Sequence, residues 1–574
     1  MSPPSPWGRR SCTIMDKRSL LAFFLIALVL IITPYYYQII SPPLPEKELP
    51  TENNTIEDSP LEREAEKKNI PTLKPKAPYK EKFISIVTPL YTAKISTRFG
   101  GSLASYELNN YIAGDSTFVN LINKNNQKNL YIGYTSIEGE PVVLEEGWYT
   151  DADASAIEVF DEPQPLSFYL SYGGFLIKKT LVFSHKTYVI EINTDLSGLS
   201  SIMSGNTYSL GWDGGVPPTE TNIKDDITYF NGYVYQAGDA YGLKKVAPKI
   251  KQPQNESLEV VRGKTDWIAL RSKYFVSVLI PKTSSELCWA GHNETEVNSH
   301  IIPLYSVALG LDKNMESSVS LYLGPLEYET VKKVNSGIPS IMNFGWSIIR
   351  PISRGVLWLL KTIHLWVPNY GVVLIIFSVL VKLAVFPLTK KSHQSSKEMQ
   401  SLQPEIAALK EKHKNNPQKV QQATMNLYKE RGVNPLGGCL PILIQMPLLF
   451  SLFQVFRSTI ELRGAPFIWW VRDLSAPDVI FSLPFSIPLY GSGVAVLPLL
   501  MGITMFLQQK MMPTQASGQQ KFMSYFMTGF FILLFNGFPS GLNLYYTLFN
   551  VLTILQQKYL TPPPNKSSKK IRKK

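Results

Sequence analysis

Residues 371–391 read GVVLIIFSVLVKLAVFPLTKK, and residues 434–450 read NPLGGCLPILIQMPLLF. The first is an apolar run broken once by a charge, Lys382, before it ends at Thr389, Lys390 and Lys391. At roughly 1.5 Å of rise per residue, that cation lies about 11 Å inside the end of the run. A cation in a membrane-spanning helix costs about 2.5–3.5 kcal/mol on insertion scales, so it faces water, a partner or an interior cavity. The second run carries Gln445 between Pro441 and Pro447, and a polar group in hydrocarbon likewise needs a partner. Two neighbouring spans with polar residues at depth predict a wet interior. A Lys382 that snorkels to the interface, and a Gln445 that bonds only to a neighbouring helix, are the alternatives.

The 574 residues leave room for several domains. Hydrophobic content is an ordinary 44%, but it is unevenly spread: apolar runs sit near the N-terminus and in the last third, with a polar, alternating middle. That distribution predicts a polytopic membrane protein with a large water-soluble insert. Cys12, Cys288 and Cys439 are far apart, no CxxC or HExxH pattern occurs, and the GKT at 263–265 lacks the upstream glycine of a phosphate loop. No metal, nucleotide or other cofactor is expected. With no paired carboxylates in view, neither is an enzyme.

In order, residues 1–18 form a basic cytoplasmic N-terminus, in which Met15 is an alternative start. Residues 19–39 form a first anchor, with a cleaved signal peptide as the alternative. Residues 40–82, rich in Pro, Glu, Lys and Asn, read as a disordered periplasmic linker. Residues 83–340 show period-two alternation with Gly-Gly punctuation and predict an all-β sandwich. Residues 341–368 carry Arg350, Arg354, Lys361 and His364 within an arc of roughly 80°, the pattern of an amphipathic helix in the membrane plane. A spanning helix is the other reading. The second span is 369–389. It leads to a cytoplasmic helical hairpin, 390–434, with nine Lys or Arg against four Glu. The third span (435–457), a periplasmic loop (458–493), the fourth span (494–511), a cytoplasmic loop (512–521), the fifth span (522–538) and the sixth (540–560) follow. A basic cytoplasmic tail, 561–574, closes the chain. Six spans put both termini in the cytoplasm. Lys566, Lys569, Lys570, Arg572, Lys573 and Lys574 of the tail are candidate contacts to ribosomal RNA or anionic lipid.

Residues 341–560 resemble the YidC/Oxa/Alb3 family of membrane-protein insertases. NPLGGCLPILIQMP at 434–447 carries the strongest likeness. ELRGAPF at 461–467, WWVRDLSAPD at 469–478, LPLLMGITMFLQQKM at 497–511 and FPSGLNLYYTLFN at 538–550 follow in the family's order. FGWSIIRPI at 344–352 matches the start of its surface helix, and YTAKISTRFGGSLASYEL at 91–108 is similar to its Gram-negative bacterial members. The resemblance implies a periplasmic β-supersandwich and five core spans around a hydrophilic groove, open to cytoplasm and lipid and closed outside. It implies that Lys382, where many members have Arg, sits in that groove with Ser378, Gln445, Met446, Tyr546 and, with a weaker match, Asn550. It implies a membrane-protein insertase and chaperone of the inner membrane that acts on nascent membrane proteins, alone or with the Sec translocon, in contact with ribosome and lipid. Each site residue keeps a plain alternative: Tyr546 as interfacial packing, for example, and the methionines at 501, 505, 511, 512, 523 and 527 as ordinary core. A small-solute transporter or channel is the competing function, although no internal repeat supports it. An enzyme acting on sugars through the β domain is a third.

Overall fold

The computed structural model describes residues 80–560 except 115, 124–127, 248–249, 251–257, 298, 314–316, 414–415, 434–439, 488–489 and 512–517. The first anchor, most of the linker, the basic tail and the glycine pair of the NPLGGC motif therefore lie outside the described residues. The chain divides into two compact units, one holding the β-rich middle up to Asn343 and the other holding the helices from Phe344 onward.

The β unit contains two sheets. The five-stranded sheet runs in the order Phe118–Asn120, Ser102–Ile112, Tyr91–Ser96, Phe83–Val87, Ala156–Glu158, with only the last pair parallel. The thirteen-stranded sheet has at its centre the long hairpin Ser285–Val297 with His300–Asp312, joined through Glu259–Arg271 and Phe275–Pro281 to Ser317–Pro325. The expected alternation appears as burial: Ile84 and Ile86 turn inward from Phe83–Val87, and Ile177, Lys179, Leu181 and Phe183 from Phe175–Phe183. Lys179 is thus a cation in the core register, with 0% exposure. Its amine donates to the carbonyls of Phe99 and Leu130, two non-glycine residues at positive φ, 57° and 53°. The unit also carries short helices, Ile223–Ile227, Leu243–Val246 and Tyr328–Val334, where none was expected.

The helical unit begins with α1, Arg350–His364. α2, Tyr370–Ser401, continues well past the expected end of the second span, because Lys390–Ser401 holds no residue that stops a helix. α3, Gln403–Lys412, and α4, Pro417–Glu430, pack together through Leu402, Ile406, Leu427 and Val433. The other apolar helices are α5, Leu440–Ser458; α6, Val496–Met511; α7, Gly518–Phe535; and α8, Ser540–Leu555, which runs into a π-helical turn, Gln556–Leu560. By length and composition, one helix among the described residues, over Tyr370–Met399, is long and apolar enough to cross a membrane; Tyr525–Phe535 is a shorter apolar stretch. Between α5 and α6 the chain forms a strand pair, Val479–Ile487 with Gly491–Ala495, where only a loop was expected.

Hydroxyls along these helices bond back to their own backbone. Ser378 donates to Leu374 (2.7 Å), Ser451 to Pro447 (2.8 Å), Thr547 to Asn543 (2.8 Å) and Thr553 to Phe549 (2.7 Å). Each carbonyl lies four residues earlier, so the polar group is satisfied without leaving its helix.

Candidate functional site

The geometry centres on the seam between α2 and α8. Lys382 is only 6% exposed, and its Nζ donates to Thr553 Oγ1 of α8 at 2.7 Å. The same amine lies 4.5 Å from the centroid of the Phe549 ring, within cation–π range. Among the described residues no carboxylate pairs with it, and no Asp or Glu occurs in α5, α6, α7 or α8 or in α2 before Glu398. Two turns further along, Gln556 Nε2 donates to Thr389 Oγ1 at 3.0 Å, and Gln557 Nε2 lies 3.5 Å from His393 Nδ1. Ser378 is fully buried one turn before Lys382.

Thr389, Thr553 and Gln556 were not singled out from the sequence. The signal was present: at 100° per residue, positions 378, 382, 389 and 393 fall within an arc of roughly 60° on one face of a single helix. A polar stripe through an otherwise apolar run needs a polar partner, and Thr553 and Gln556 provide it.

The six candidates are not all brought together. Lys382 and Ser378 share the α2–α8 seam. Asn550 faces α6 instead, where its Nδ2 donates to Thr504 Oγ1 at 3.2 Å. Tyr546 packs edge-on against Phe535 of α7, with centroids 6.0 Å apart, and its hydroxyl is buried with no hydrogen-bond partner among the described residues. Gln445 lines a cavity of about 340 Å³ with Ile352 of α1, Val385 and Thr389 of α2, Leu448 of α5 and Phe549 of α8. Met446, beside it on α5, is half-buried. The cavity is mainly apolar, so Gln445 and Thr389 are polar points on a greasy wall.

Helix α1 is held at its far end by Lys361, whose Nζ lies 3.5 Å from Glu461, and by His364 stacked on Tyr370 at 3.8 Å. Trp358 of α1 and Trp366, two residues past its end, are 66% and 85% exposed.

Residues 83–359 match the family model described as YidC periplasmic domain, and residues 362–567 match that described as 60Kd inner membrane protein. The Membrane protein insertase YidC of Chloroherpeton thalassium is 37% identical over 573 residues, covering 95% of this chain and 96% of the relative. The chain belongs to the YidC family of membrane protein insertases. The YidC of Chlorobaculum parvum is 34% identical over 562 residues, covering 95% and 94%. A solved structure described as an active YidC insertase with the first transmembrane domain resolved aligns with 94% of this chain and 99% of that chain, at 18% identity and a TM-score of 0.35. As a member of that family, the protein is an inner-membrane insertase for membrane proteins, with its β unit in the periplasm and its helical region C-terminal to it. The boundary between the two matched regions falls inside α1.

Proposed function

We propose that this protein inserts, folds and helps assemble its substrates through a hydrophilic groove built on α2, α5, α6, α7 and α8. These are the second to sixth spans of a six-span chain whose termini are both cytoplasmic. The observation that carries the reading is a buried cation, Lys382, for which the described residues offer a hydroxyl and an aromatic face but no carboxylate. An incoming acidic tail supplies the missing charge. The polar segment finds hydrogen-bond partners partway across, and the apolar segment leaves sideways into lipid, favourable by about 25 cal/mol per Å² buried. No chemical energy source is required. The Sec translocon, the ribosome and anionic lipid complete the set of partners.

Reconstitution tests this reading. Proteoliposomes of the pure protein should insert a single-spanning test protein, and a variant lacking most of 83–323 but keeping α1 should do so nearly as well, since the β unit is separately compact. Failure of the full chain would overturn the reading. Failure of the shortened chain alone, at normal abundance, would assign the β unit an essential part.

The basic tail, outside the described residues, is proposed as a ribosome contact. Neutralising several phosphates releases counterions, so binding should weaken steeply with salt, by about 0.7–0.9 of a log unit per log unit of salt for each phosphate. Deleting 561–574 should flatten that dependence in a sedimentation assay. An unchanged slope would move the contact to the α3–α4 hairpin.

A further inference from the structure

The loop between α5 and α6 caps two helices, α6 and α8, and holds the residue that caps a third, α2. Asn369, just before α2, donates through Nδ2 to the Phe467 carbonyl at 3.5 Å. The Phe467 ring lies so close to Gly371 that a Cβ there would stand 1.9 Å from it. At α8, Ser540 donates from its amide to Ala476 (2.8 Å) and from its hydroxyl to Asp473 (2.7 Å), and the Gly541 amide donates to Leu474 (2.9 Å). At α6, the amides of Val496 and Leu497 donate to Oδ2 of Asp478, at 3.1 and 2.8 Å. The first amides of a helix have no partner within it, so a loop that satisfies them holds the helix start in place. Asp478 also binds elsewhere, since the same Oδ2 accepts the indole N–H of Trp470 at 3.0 Å. It is 5% exposed and joins the loop's interior to a helix it does not precede directly. Asp473, by contrast, spends its carboxylate within the loop, on Gly464 and Ser475.

We infer that residues 463–478 form the seal at the outer end of the groove and that Asp478 is the positioning residue that locks it, by accepting hydrogen bonds rather than by its charge. The inference rests on the proposed groove, closed on its outer side. With the lock removed, Trp470 and the start of α6 separate, the loop's hold on α8 and on Asn369 before α2 loosens with them, and periplasmic water reaches the top of the α2–α8 seam. Asparagine at 478 keeps an acceptor oxygen for the same donors. Alanine keeps none.

The test uses the full chain with Cys12, Cys288 and Cys439 replaced by serine and Ser378→Cys as reporter. Position 378 is buried one turn below Leu374, whose side chain would lie 3.3 Å from a Cβ on Gly541. A membrane-impermeant maleimide is added to the periplasmic side of spheroplasts. The reporter should resist labelling in the parent and in Asp478→Asn. Asp478→Ala should label faster by at least about tenfold, the effect on a closed–open ratio of losing one cap and one buried hydrogen bond. Without the reporter, Asp478→Ala should insert a test protein several-fold more slowly at matched protein level, while Asp478→Asn should not. An unchanged labelling rate in Asp478→Ala overturns the inference, and equal acceleration by Asn and Ala overturns its hydrogen-bond basis. Should Asp478→Ala fail to accumulate, Trp470→Phe, which removes the indole donor but keeps an aromatic ring, carries the same test with a smaller expected rise, and no rise overturns the seal. A parent reporter that labels from outside defeats the closed-groove reading itself, whatever Asp478 does.

Discussion

Lys382→Glu should cut insertion of a substrate with an acidic translocated tail by at least about tenfold, since like charges near 4 Å cost on the order of 4 kcal/mol at an effective dielectric constant of 20. Lys382→Ala should impair the same substrate and spare one with a neutral tail. Lys382→Arg should retain insertion of both, because the charge is kept and a guanidinium can still donate to Thr553, although its planar fork changes the contact geometry. The snorkelling alternative predicts lower abundance and equal loss for all substrates. In the structure the amine is buried, bonded to Thr553 and lying over the face of Phe549. Matched substrates differing only in tail acidity, assayed at controlled protein level, decide the matter. Equal insertion of acidic and neutral tails by Lys382→Ala would sink the electrostatic role.

The periplasmic domain should become more stable as pH rises from about 7 to about 9.5, by up to about 3 kcal/mol at 1.36 kcal/mol per pH unit. Burial pushes the amine of Lys179 down from 10.5 to about 7. The sign follows from proton counts. Below about 7 the amine is protonated in folded and unfolded chains alike, and the folded state bears the full penalty of the buried charge. Above it the folded state has released the proton while the unfolded chain keeps it up to 10.5, so raising the pH favours the fold. As a neutral amine, Lys179 still has hydrogens for the carbonyls of Phe99 and Leu130, so the left-handed turns at those residues keep their donor. Denaturant unfolding across this pH range measures the slope, and Lys179→Met should flatten it. An equal slope in the variant and the parent would rule Lys179 out as its source.

Much of the fold could be read from period-two alternation, which works where a sheet has one buried face. It also carried information that went unread. In FLIKKTLVF the positions of Ile177, Leu181 and Phe183 put Lys179 inside and Lys178 outside, and a core lysine could have been named from register alone. The helix Ile223–Ile227 has five residues and an Asn222 cap, too short for any periodicity to register. The strand Val479–Ile487 is mainly exposed along its length and contains Pro484, so no alternation marked it and the proline argued against a strand despite its Val, Ile and Phe. Helix periodicity tells which face a residue occupies but not which helix it meets. That is why the sequence could group Ser378 and Lys382 on one helix but could not show that Tyr546, Asn550 and Thr553 of α8 turn toward three different neighbours.

The back-bonded hydroxyls give the proposed groove a preferred direction of hydrogen bonding. Ser378 and Thr553 have given their hydrogens to carbonyls of their own helices, and what they turn outward is lone pairs. Thr553 uses one for Lys382, and Thr389 uses one for Gln556. A wall of this kind receives hydrogens far more readily than it donates them. The amide N–H groups of an unfolded segment, stripped of water, find acceptors along it whatever the sequence, so backbone passage needs no sequence code. A carboxylate meets mainly lone pairs on those hydroxyls, so under this proposal the ammonium of Lys382 is where the acidic side chains of a passing tail are held.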